Sequence, residues 1–451
     1  MPLISAATAA YAAGLLLGFA HATAVAVTLA LAVAAASIAS RRPADAATAL
    51  LVLAGAMVAQ ATARDDARCL ASLGRRQAWR VLLDGAARPG AFVRARADAC
   101  HADLWLSVER GRAQAGDAAQ VSGRAVRTQR GLMVQHASVR VVDGGSTLRR
   151  WREAAGRRID GAFGADAALA RALLVADTRG IPAAARDRYA AAGLSHMLSI
   201  SGLHVALIAL ALQLAFEIAR LPRRRADIAT VVVIGGYVAL LGAPAPALRS
   251  AVMLGLLIAT RLAQRPTSPW AILALGALVP LGDPRIVLDV GWQLSTAGVA
   301  ALIAASAFAR RVRWLSRQRG VVRTVLHGAV ASTVATIVSA PLVAWSFGRL
   351  SLIGPASNLV AGPIMTIAQP MLFLSLVASP VPALARFIAD AAHPLLVAFD
   401  AVASAAAAVP GASIAVAPTA TTAALAGVAV IAMIVACVAR FPARPAATAL
   451  A

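Results

Sequence analysis

The sequence predicts an all-α polytopic membrane protein with a small β-barrel inserted after the third transmembrane helix. Two observations lead to this fold class. Hydrophobic residues make up 60% of the 451-residue chain, more than the core of a soluble protein can bury, and they fall in long apolar runs. Residues 64–145 depart from this pattern with short alternating runs separated by Gly, Pro and Asp, which is typical of a small β-sheet.

The chain opens with three Ala-, Leu- and Val-rich runs, each predicted to be a transmembrane helix. The runs are residues 3–20, 22–39 and 45–62. Arg41 and Arg42 lie between the second and third runs, and the positive-inside rule places them in the cytoplasm. The third helix would then deliver residue 64 to the outer face of the cell (inner) membrane. We therefore expect residues 64–145 to be extracytoplasmic.

Within residues 64–145, five short alternating segments are predicted to be strands of a small barrel, for which the five-stranded OB-fold is the obvious candidate. The segments lie near residues 78–83, 91–99, 103–109, 118–127 and 132–142. Cys69 and Cys100 bracket part of this region. If the region lies outside the membrane, the two cysteines either form a disulfide or remain two unrelated thiols.

The predicted barrel is basic. Between residues 69 and 145, twelve Arg stand against six Asp or Glu. Trp79, Phe92 and Trp105 are interleaved among these charges, and Arg with stackable rings favours contact with a single nucleic acid strand. The same rings could instead form the barrel core, which is the commoner role of aromatic side chains. The candidate contact residues are Arg75, Arg76, Arg94, Arg96, Trp79 and Trp105.

The whole chain carries a formal net charge of +23, contributed by Arg alone because no Lys occurs. Such a charge either satisfies the positive-inside rule or attracts a polyanionic partner. Charge by itself favours the first interpretation, since Arg is concentrated in the short loops of membrane proteins that face the cytoplasm.

Amphipathic helices are predicted next, in residues 146–192. Leu148, Trp151, Ala155 and Ile159 fall on one helical stripe, and a series of Arg residues falls on the other. This pattern is typical of a helix that lies on a membrane surface. Membrane lipid is therefore an expected partner.

From residue 193 to 440, apolar runs alternate with Arg-rich loops that fall on the cytoplasmic side if residue 64 lies outside. The runs are residues 194–219, 227–242, 247–263, 269–282, 286–309, 321–345, 352–378 and 413–439. Residues 383–409 either span the membrane or lie on its surface, because charged residues recur there at near-helical spacing. We therefore expect five regions: transmembrane helices at 1–63, the barrel at 64–145, surface helices at 146–192, a transmembrane domain at 193–440 and a tail at 441–451.

The segment GLSHMLSISGLHV at residues 193–205 places hydroxyl and imidazole groups in an apolar run. On one helix, at about 100° per residue, these groups would form a band over roughly half of the circumference. Polar groups at membrane depth are costly unless they face protein or water, so the segment is predicted to face an interior. The band comprises His196, Ser199, Ser201 and His204.

Three later blocks also place polar residues in apolar runs. Arg249 in PALRSAVM either snorkels to the interface or supplies a fixed charge inside the bundle. Gln293 and Ser295 in LGDPRIVLDVGWQLSTAGVA either bond neighbouring helices or face the same interior. Asn358 lies in SAPLVAWSFGRLSLIGPASNLVAGPIM, whose prolines predict a broken helix of the kind that lines cavities. The predicted helix breaks are Gly202, Pro341, Pro355 and Pro363.

The sequence lacks the residue motifs of several common enzyme classes. The HExxH zinc motif, the P-loop and the GxSxG nucleophile elbow are all absent, so we expect no catalytic site, metal site or cofactor. One alternative remains. SISG at 199–202 is one residue away from the GxSG of rhomboid intramembrane proteases, with Ser201 as nucleophile and His327 as base. Ser and His in membrane helices more often hydrogen-bond than catalyse.

Together, the four blocks resemble in order and spacing the signatures of the ComEC/Rec2 family of competence proteins, over roughly residues 60–440. The resemblance implies a membrane channel that passes single-stranded DNA into the cytoplasm during natural transformation. Trp292 stands where the family usually shows Phe, which is a mild departure. The residues that would line or shape this channel are His196, Ser199, Ser201, His204, Arg249, Gln293, Ser295 and Asn358.

The resemblance also implies a covalent link and partners. A disulfide between Cys69 and Cys100 is expected in such an extracytoplasmic domain. Beyond the DNA strand, an extracytoplasmic DNA receptor and a cytoplasmic helicase-like ATPase would be partners. Many members carry a C-terminal metallo-β-lactamase-like domain, but no HxHxDH string occurs here, so any nuclease is expected in a separate chain. The main alternative function is a small-solute secondary transporter, which also uses broken helices.

Overall fold

The computed structural model describes residues 2–40, 43–98, 100, 102–113, 116–128, 131–143, 147–198, 202–265 and 267–438. The protein is mostly helical, with one closed barrel near its N-terminus. Within these residues, six helices are long and apolar enough to cross a bilayer. The protein is therefore a multi-pass membrane protein, and the predicted fold class is confirmed.

Helices α1–α3 precede the barrel and α4–α16 follow it. Their bounds are Leu3–Phe19 (α1), Thr23–Ser40 (α2), Pro43–Leu73 (α3), Thr147–Phe163 (α4), Ala167–Val175 (α5), Ala183–Ala191 (α6), Gly202–Ile218 (α7), Arg223–Leu240 (α8), Ala245–Leu262 (α9), Pro269–Leu278 (α10), Val290–Arg311 (α11), Arg313–Arg317 (α12), Gly320–Phe347 (α13), Gly354–Val377 (α14), Pro382–Ala408 (α15) and Ala420–Val438 (α16). The six long apolar helices are α3, α9, α11, α13, α14 and α15. α15, for which a surface position was also open, is thus long and apolar enough to span.

α1 and α3 approach closely because small residues face each other. Gly14 and Gly18, about one turn apart on α1, lie against the backbone of Val52 and Ala56 on α3. A Cβ atom at Gly14 would lie 2.1 Å from the carbonyl oxygen of Val52, so no larger residue fits there. Small residues four positions apart let membrane helices approach in this way. Close packing of small residues therefore joins α1 to α3.

The barrel has the strands Ala78–Leu83 (β1), Phe92–Ala97 (β2), Asp103–Arg110 (β3), Ala118–Thr128 (β4) and Gly131–Asp143 (β5). Their order is β1-β2-β3-β5-β4, closed by pairing of β4 with β1; β3 and β5 are parallel and the other pairs antiparallel. Alternate residues of each strand face the core, which produced the alternation seen in the sequence. The predicted five-stranded barrel is confirmed.

The barrel is fixed to the end of α3. The helix continues well past its predicted end at residue 62, because its last turns are covered by the barrel. Leu73 is buried in the barrel core, and its carbonyl oxygen accepts a 2.9 Å hydrogen bond from Trp79 Nε1. Cys69 on α3 forms a disulfide with Cys100, with the two Cα atoms 6.3 Å apart. This is the pairing that the resemblance implies.

Helices α4–α6 share one core with α14 and α15. Ala155 and Ile159 of the predicted stripe on α4 are buried in it, whereas Trp151 is 63% exposed. Beyond α5, the carboxylate of Asp177 accepts hydrogen bonds of 2.8 Å from Nε and Nη2 of Arg179. These hydrogen bonds lower the pKa of Asp177 to about 2, against the opposing effect of its burial. The turn before α6 is therefore held by an ion pair that persists at neutral pH.

Candidate functional site

The polar segment at residues 193–204 is not one helix. Residues Ser195–Met197 form a single 3₁₀ turn, and α7 begins only at Gly202. His196 and His204 therefore do not share a helix, and the prediction of one continuous helix is wrong. Gly202, one of the predicted break positions, is the first residue of α7. Two of the expected lining residues lie outside the described residues: Ser199 and Ser201.

Gly193, at the start of this segment, lies against the start of α14. Its φ of +75° is in the left-handed region. A Cβ atom there would lie 2.8 Å from Cα of Gly354 and 2.9 Å from Oγ of Ser351, so only glycine fits. Ser351 and Ser357 donate hydrogen bonds of 2.8 and 2.5 Å to the carbonyl oxygens of the two residues before Gly193. These contacts join the first block to the fourth.

The fourth block is broken between α13 and α14. α13 ends at Phe347, and Gly348 turns the chain with a φ of +63°. A short strand, Arg349–Ser351 (β6), then pairs with Ser413–Ala415 (β7) before α14 begins at Gly354. The predicted interruption therefore exists, and it falls beside Gly193.

The prolines of this block differ in their effects. Pro355 lies in the first turn of α14, where its missing N–H has no helical partner to lose. Pro341 and Pro363 lie inside α13 and α14, and both helices continue through them. The prediction that these two prolines break a helix is therefore wrong. Neighbouring groups in a membrane bundle can compensate for the single lost hydrogen bond. Asn358 lies one turn into α14, and its buried Oδ1 has no hydrogen-bond partner in the described part of the chain.

Arg249 lies in the second turn of α9 and is only 1% exposed. One terminal nitrogen donates to Oγ of Ser295 on α11, and the other donates to Sδ of Met253 at 3.1 Å. Buried Nε has no acceptor among the described residues. Across the described ranges, no carboxylate lies within ion-pair distance of this guanidinium. Since it reaches no surface, Arg249 does not snorkel. It is a charge held inside the bundle by neutral groups.

α7 reaches the same point from the first block. A Cβ atom at Gly202 would lie 2.5 Å from Oγ of Ser250 and 3.5 Å from Nη2 of Arg249. His204, two residues further, is 1% exposed. His196 lies outside α7, with Nδ1 3.1 Å from the carbonyl oxygen of Gly193. The absence of a side chain at Gly202 thus lets the start of α7 approach the guanidinium.

The third block supplies the first turns of α11. Asp289 caps the helix, because its Oδ1 accepts a 2.7 Å hydrogen bond from the backbone N–H of Trp292. Gln293 donates 2.8 Å from Nε2 to the carbonyl oxygen of Val287, so its amide holds the preceding 3₁₀ turn. Ser295 lies two residues further along and meets Arg249. The block therefore both forms the turn and aims one hydroxyl at the buried charge.

The four blocks, distant in the sequence, are thus in mutual contact. Gly193 touches Gly354, Gly202 lies beside Arg249, and Arg249 bonds to Ser295. We call this arrangement the Arg249 junction. Of the lining residues expected from the sequence, Arg249 and Ser295 meet directly in it, whereas the amide nitrogen of Gln293 is bound elsewhere.

The aromatic residues of the barrel have two different positions. Trp79 is 2% exposed and fills the barrel core, so it cannot stack on a bound strand and its predicted contact role is wrong. Trp105 faces outward and stacks on Phe92, with ring centroids 5.3 Å apart and an interplanar angle of 14°. Phe92 is 58% exposed. These two rings, not Trp79, form the outward-facing aromatic pair of the barrel.

A groove of about 470 Å³ borders this ring pair on the outer face of β2, β3 and β5. Its lining includes Phe92, Ser107, Met133 and Gln135. Glu109 and His136 also line it, with Oε2 of the glutamate 3.0 Å from Nδ1 of the histidine. The groove thus combines an aromatic wall with hydrogen-bonding groups.

The basic candidates of the barrel differ in their charge partners. Arg94 donates a hydrogen bond to Asp103 and lies 3.8 Å from Asp84, so its charge is largely neutralised. The hydrogen bond to Asp103 also raises the pKa of Arg94. Arg96, two residues along the same outer row of β2, is exposed. The loop between α3 and β1 carries two further exposed candidates, Arg75 and Arg76.

Within the part of the chain that the structure describes, no three His, Cys, Asp or Glu side chains come close enough to hold a metal ion. The base of the protease alternative, His327, lies on α13, and its buried Nε2 meets no hydrogen-bond partner within the described ranges. Its supposed nucleophile, Ser201, is outside the described residues.

Comparison with known proteins identifies the family. A family model described as Competence protein matches residues 173–442. ComE operon protein 3 of Bacillus subtilis (strain 168) is 29% identical over 199 residues, which are 44% of this chain and 24% of that protein. Competence protein ComA of Neisseria gonorrhoeae is 35% identical over 225 residues, which are 48% of this chain and 30% of that protein.

The matched residues thus span less than a third of either relative. No solved structure matches the chain significantly. The family match nevertheless covers more than half of the chain and contains all four blocks of the Arg249 junction. The chain belongs to the competence protein family.

Proposed function

We propose that the protein conducts single-stranded DNA across the inner membrane during natural transformation, and that the Arg249 junction lies on the path of the strand. Membership of the competence family supports a role in DNA uptake. One observation carries the finer proposal. Arg249 is a fully buried charge whose described partners are all neutral.

A buried cation without a counter-charge costs several kcal/mol, so a membrane protein keeps one only where it has a use. Every nucleotide of a DNA strand carries one phosphate charge, and that charge needs compensation in a low-dielectric interior. A carboxylate beside Arg249 would cancel the attraction. Ser295 and Met253 instead hold the guanidinium while leaving its charge free to act on a passing phosphate.

The barrel would lie on the extracytoplasmic side and guide the strand toward the membrane. Bases can stack on the exposed face formed by Phe92 and Trp105, because every base has a π-face. Arg96, Arg75 and Arg76 would supply phosphate contacts. A separate DNA receptor would deliver the strand, and a helicase-like ATPase in the cytoplasm would draw it inward. These partners follow from the proposed function.

The purified full-length protein in detergent is expected to bind a fluorescent single-stranded oligonucleotide, with affinity that falls as salt rises. Phe92→Ala and Trp105→Ala should each weaken binding by about tenfold, because stacking contributes about 1–3 kcal/mol per base. Val142→Ala is the matched control, since Val142 is 49% exposed near the far end of β5. Fluorescence anisotropy measures the affinities.

Equal affinity of all three variants would remove the strand-binding role of the ring pair. Absence of any binding at low salt would contradict the DNA channel itself. It would favour the small-solute transporter, which the broken segments between α13 and α14 and before α7 would also suit.

A further inference from the structure

Arg285 joins the helix that carries the barrel to the turn that precedes α11. Its Nε donates 3.0 Å to Oδ2 of Asp66 on α3, and its Nη2 donates 2.5 Å to Oδ1 of the same carboxylate. Asp283 accepts a further 3.2 Å hydrogen bond from Nη1. The hydrogen bond with Asp66 raises the pKa of Arg285. This two-point geometry fixes the direction as well as the distance between the two elements.

On one side, the ion pair leads to the barrel. Asp66 lies on the same helix as Cys69 and Leu73, less than two turns before the latter. The disulfide of Cys69 and the burial of Leu73 hold the end of α3 rigidly against the barrel. A rotation of the barrel about the bundle would therefore have to move Asp66.

On the other side, the ion pair leads to the Arg249 junction. Arg285 is in the 3₁₀ turn Pro284–Leu288, which runs directly into α11. Gln293 of α11 is bonded back to this turn through Val287, and the helix then carries Ser295 to Arg249. About ten residues of short, hydrogen-bonded chain thus separate Arg285 from the buried guanidinium.

We propose that the Asp66–Arg285 ion pair is the joint that holds the barrel in a fixed orientation over the Arg249 junction. The barrel and the junction then form one continuous path. A strand that leaves the barrel is already positioned at the Arg249 junction. The consequence for DNA rests on the proposed function, whereas the joint itself does not. Ala59 of α3 packs in one apolar cluster with Val287 and Trp292, and the ion pair adds a directional contact near the end of α3 that carries the barrel.

The joint is tested by the distance between two spin labels on the full-length protein, one at Ser138→Cys on the barrel and one at Ala243→Cys between α8 and α9. The background carries Cys437→Ser, and the two other cysteines remain in their disulfide. Electron–electron double resonance should give a narrow distribution in this background and one about twofold wider in Asp66→Asn, as for a loosely held domain. The charge-swapped double variant D66R/R285D should be narrow again.

Asp65→Asn is the matched control, because Asp65 pairs only with exposed Arg68 among the described contacts and lies next to Asp66. An unchanged distribution in Asp66→Asn, or equal widening in Asp65→Asn, overturns the joint. Transformation frequency is measured for the same variants. Loss in Asp66→Asn with recovery in the swap supports the continuous path. Distances that follow the prediction in a protein that never supports transformation uphold the joint and count against the proposed function.

Discussion

Arg249→Gln is expected to lower transformation frequency by about 100-fold, since removing a buried charge from its counter-charge commonly costs about 3 kcal/mol. Gln retains hydrogen-bonding capacity toward Ser295 but has no charge for a phosphate. Arg249→Lys should retain part of the function, because the charge remains while the two-sided contact with Ser295 and Met253 is lost. Arg249→Glu should be inactive, since its charge repels the strand. Transformation of a deletion strain carrying each variant measures the effect.

Arg310→Gln is the matched control for this series. Arg310 lies on α11 and also donates to a serine, at 2.6 Å to Oγ of Ser306, but it is exposed. A strain that carries Arg310→Gln should therefore have the same transformation frequency as one that carries the parent protein. Wild-type uptake by Arg249→Gln at equal membrane abundance would remove Arg249 from the path of the strand.

Gly193→Ala is expected to destabilise the protein strongly, because the position has a left-handed backbone and no room for a methyl group. The left-handed φ of +75° alone costs an alanine about 1 kcal/mol. The added Cβ would also lie 2.8 Å from the backbone of Gly354, which cannot move aside as a flexible side chain would. We expect a loss of about 3 kcal/mol in stability, together with loss of uptake. Thermal unfolding in detergent, followed by fluorescence, measures the first effect.

Gly235→Ala on α8 separates this contact from a general effect of glycine replacement. A Cβ atom at Gly235 meets nothing within 4 Å, so the substitution should leave the unfolding temperature unchanged or slightly raised. If Gly193→Ala were as stable as Gly235→Ala, the contact between the first and fourth blocks would not hold the junction together.

The barrel could be predicted from the sequence because the pattern that specifies each strand lies within that strand. Inward and outward residues alternate along each strand, so the strands were found with their bounds nearly correct. The same alternation also indicates which aromatic side chains face the core and which face outward. Trp79 lies on the same side of its strand as Val81 and Leu83, which face the core. Phe92 lies on the same side of its strand as the exposed Arg94 and Arg96. Assigning alternate residues of each strand to the inner or outer face would have excluded Trp79 as a contact residue and selected Phe92.

The bundle was harder to predict because its decisive contacts join distant residues. The apolar run at 194–219 looked like one helix, but Gly193 is pressed against Gly354, far along the chain. α3 looked complete at residue 62, but the barrel covers its last turns. Periodicity reports one segment at a time and contains no signal for contacts of this kind.

Arg249 illustrates the same limit at the level of one side chain. The sequence marked it as unusual inside an apolar run, but left a snorkelling position and an interior position equally open. Only the folded chain places it 1% exposed against Ser295, and shows Gln293 turned to Val287 instead. The type of residue was thus predictable, and its neighbours were not.

Site-specific photo-crosslinking to DNA during uptake tests the central claim most directly. A photoreactive phenylalanine replaces Ser295 in the Arg249 junction or, as control, Val321, which is 78% exposed on α13. Cells taking up labelled DNA are irradiated, and the protein is analysed for attached strand. We predict attachment at position 295 and none at position 321. Equal labelling at both positions, or labelling at neither while transformation proceeds, would contradict a path for DNA beside Arg249.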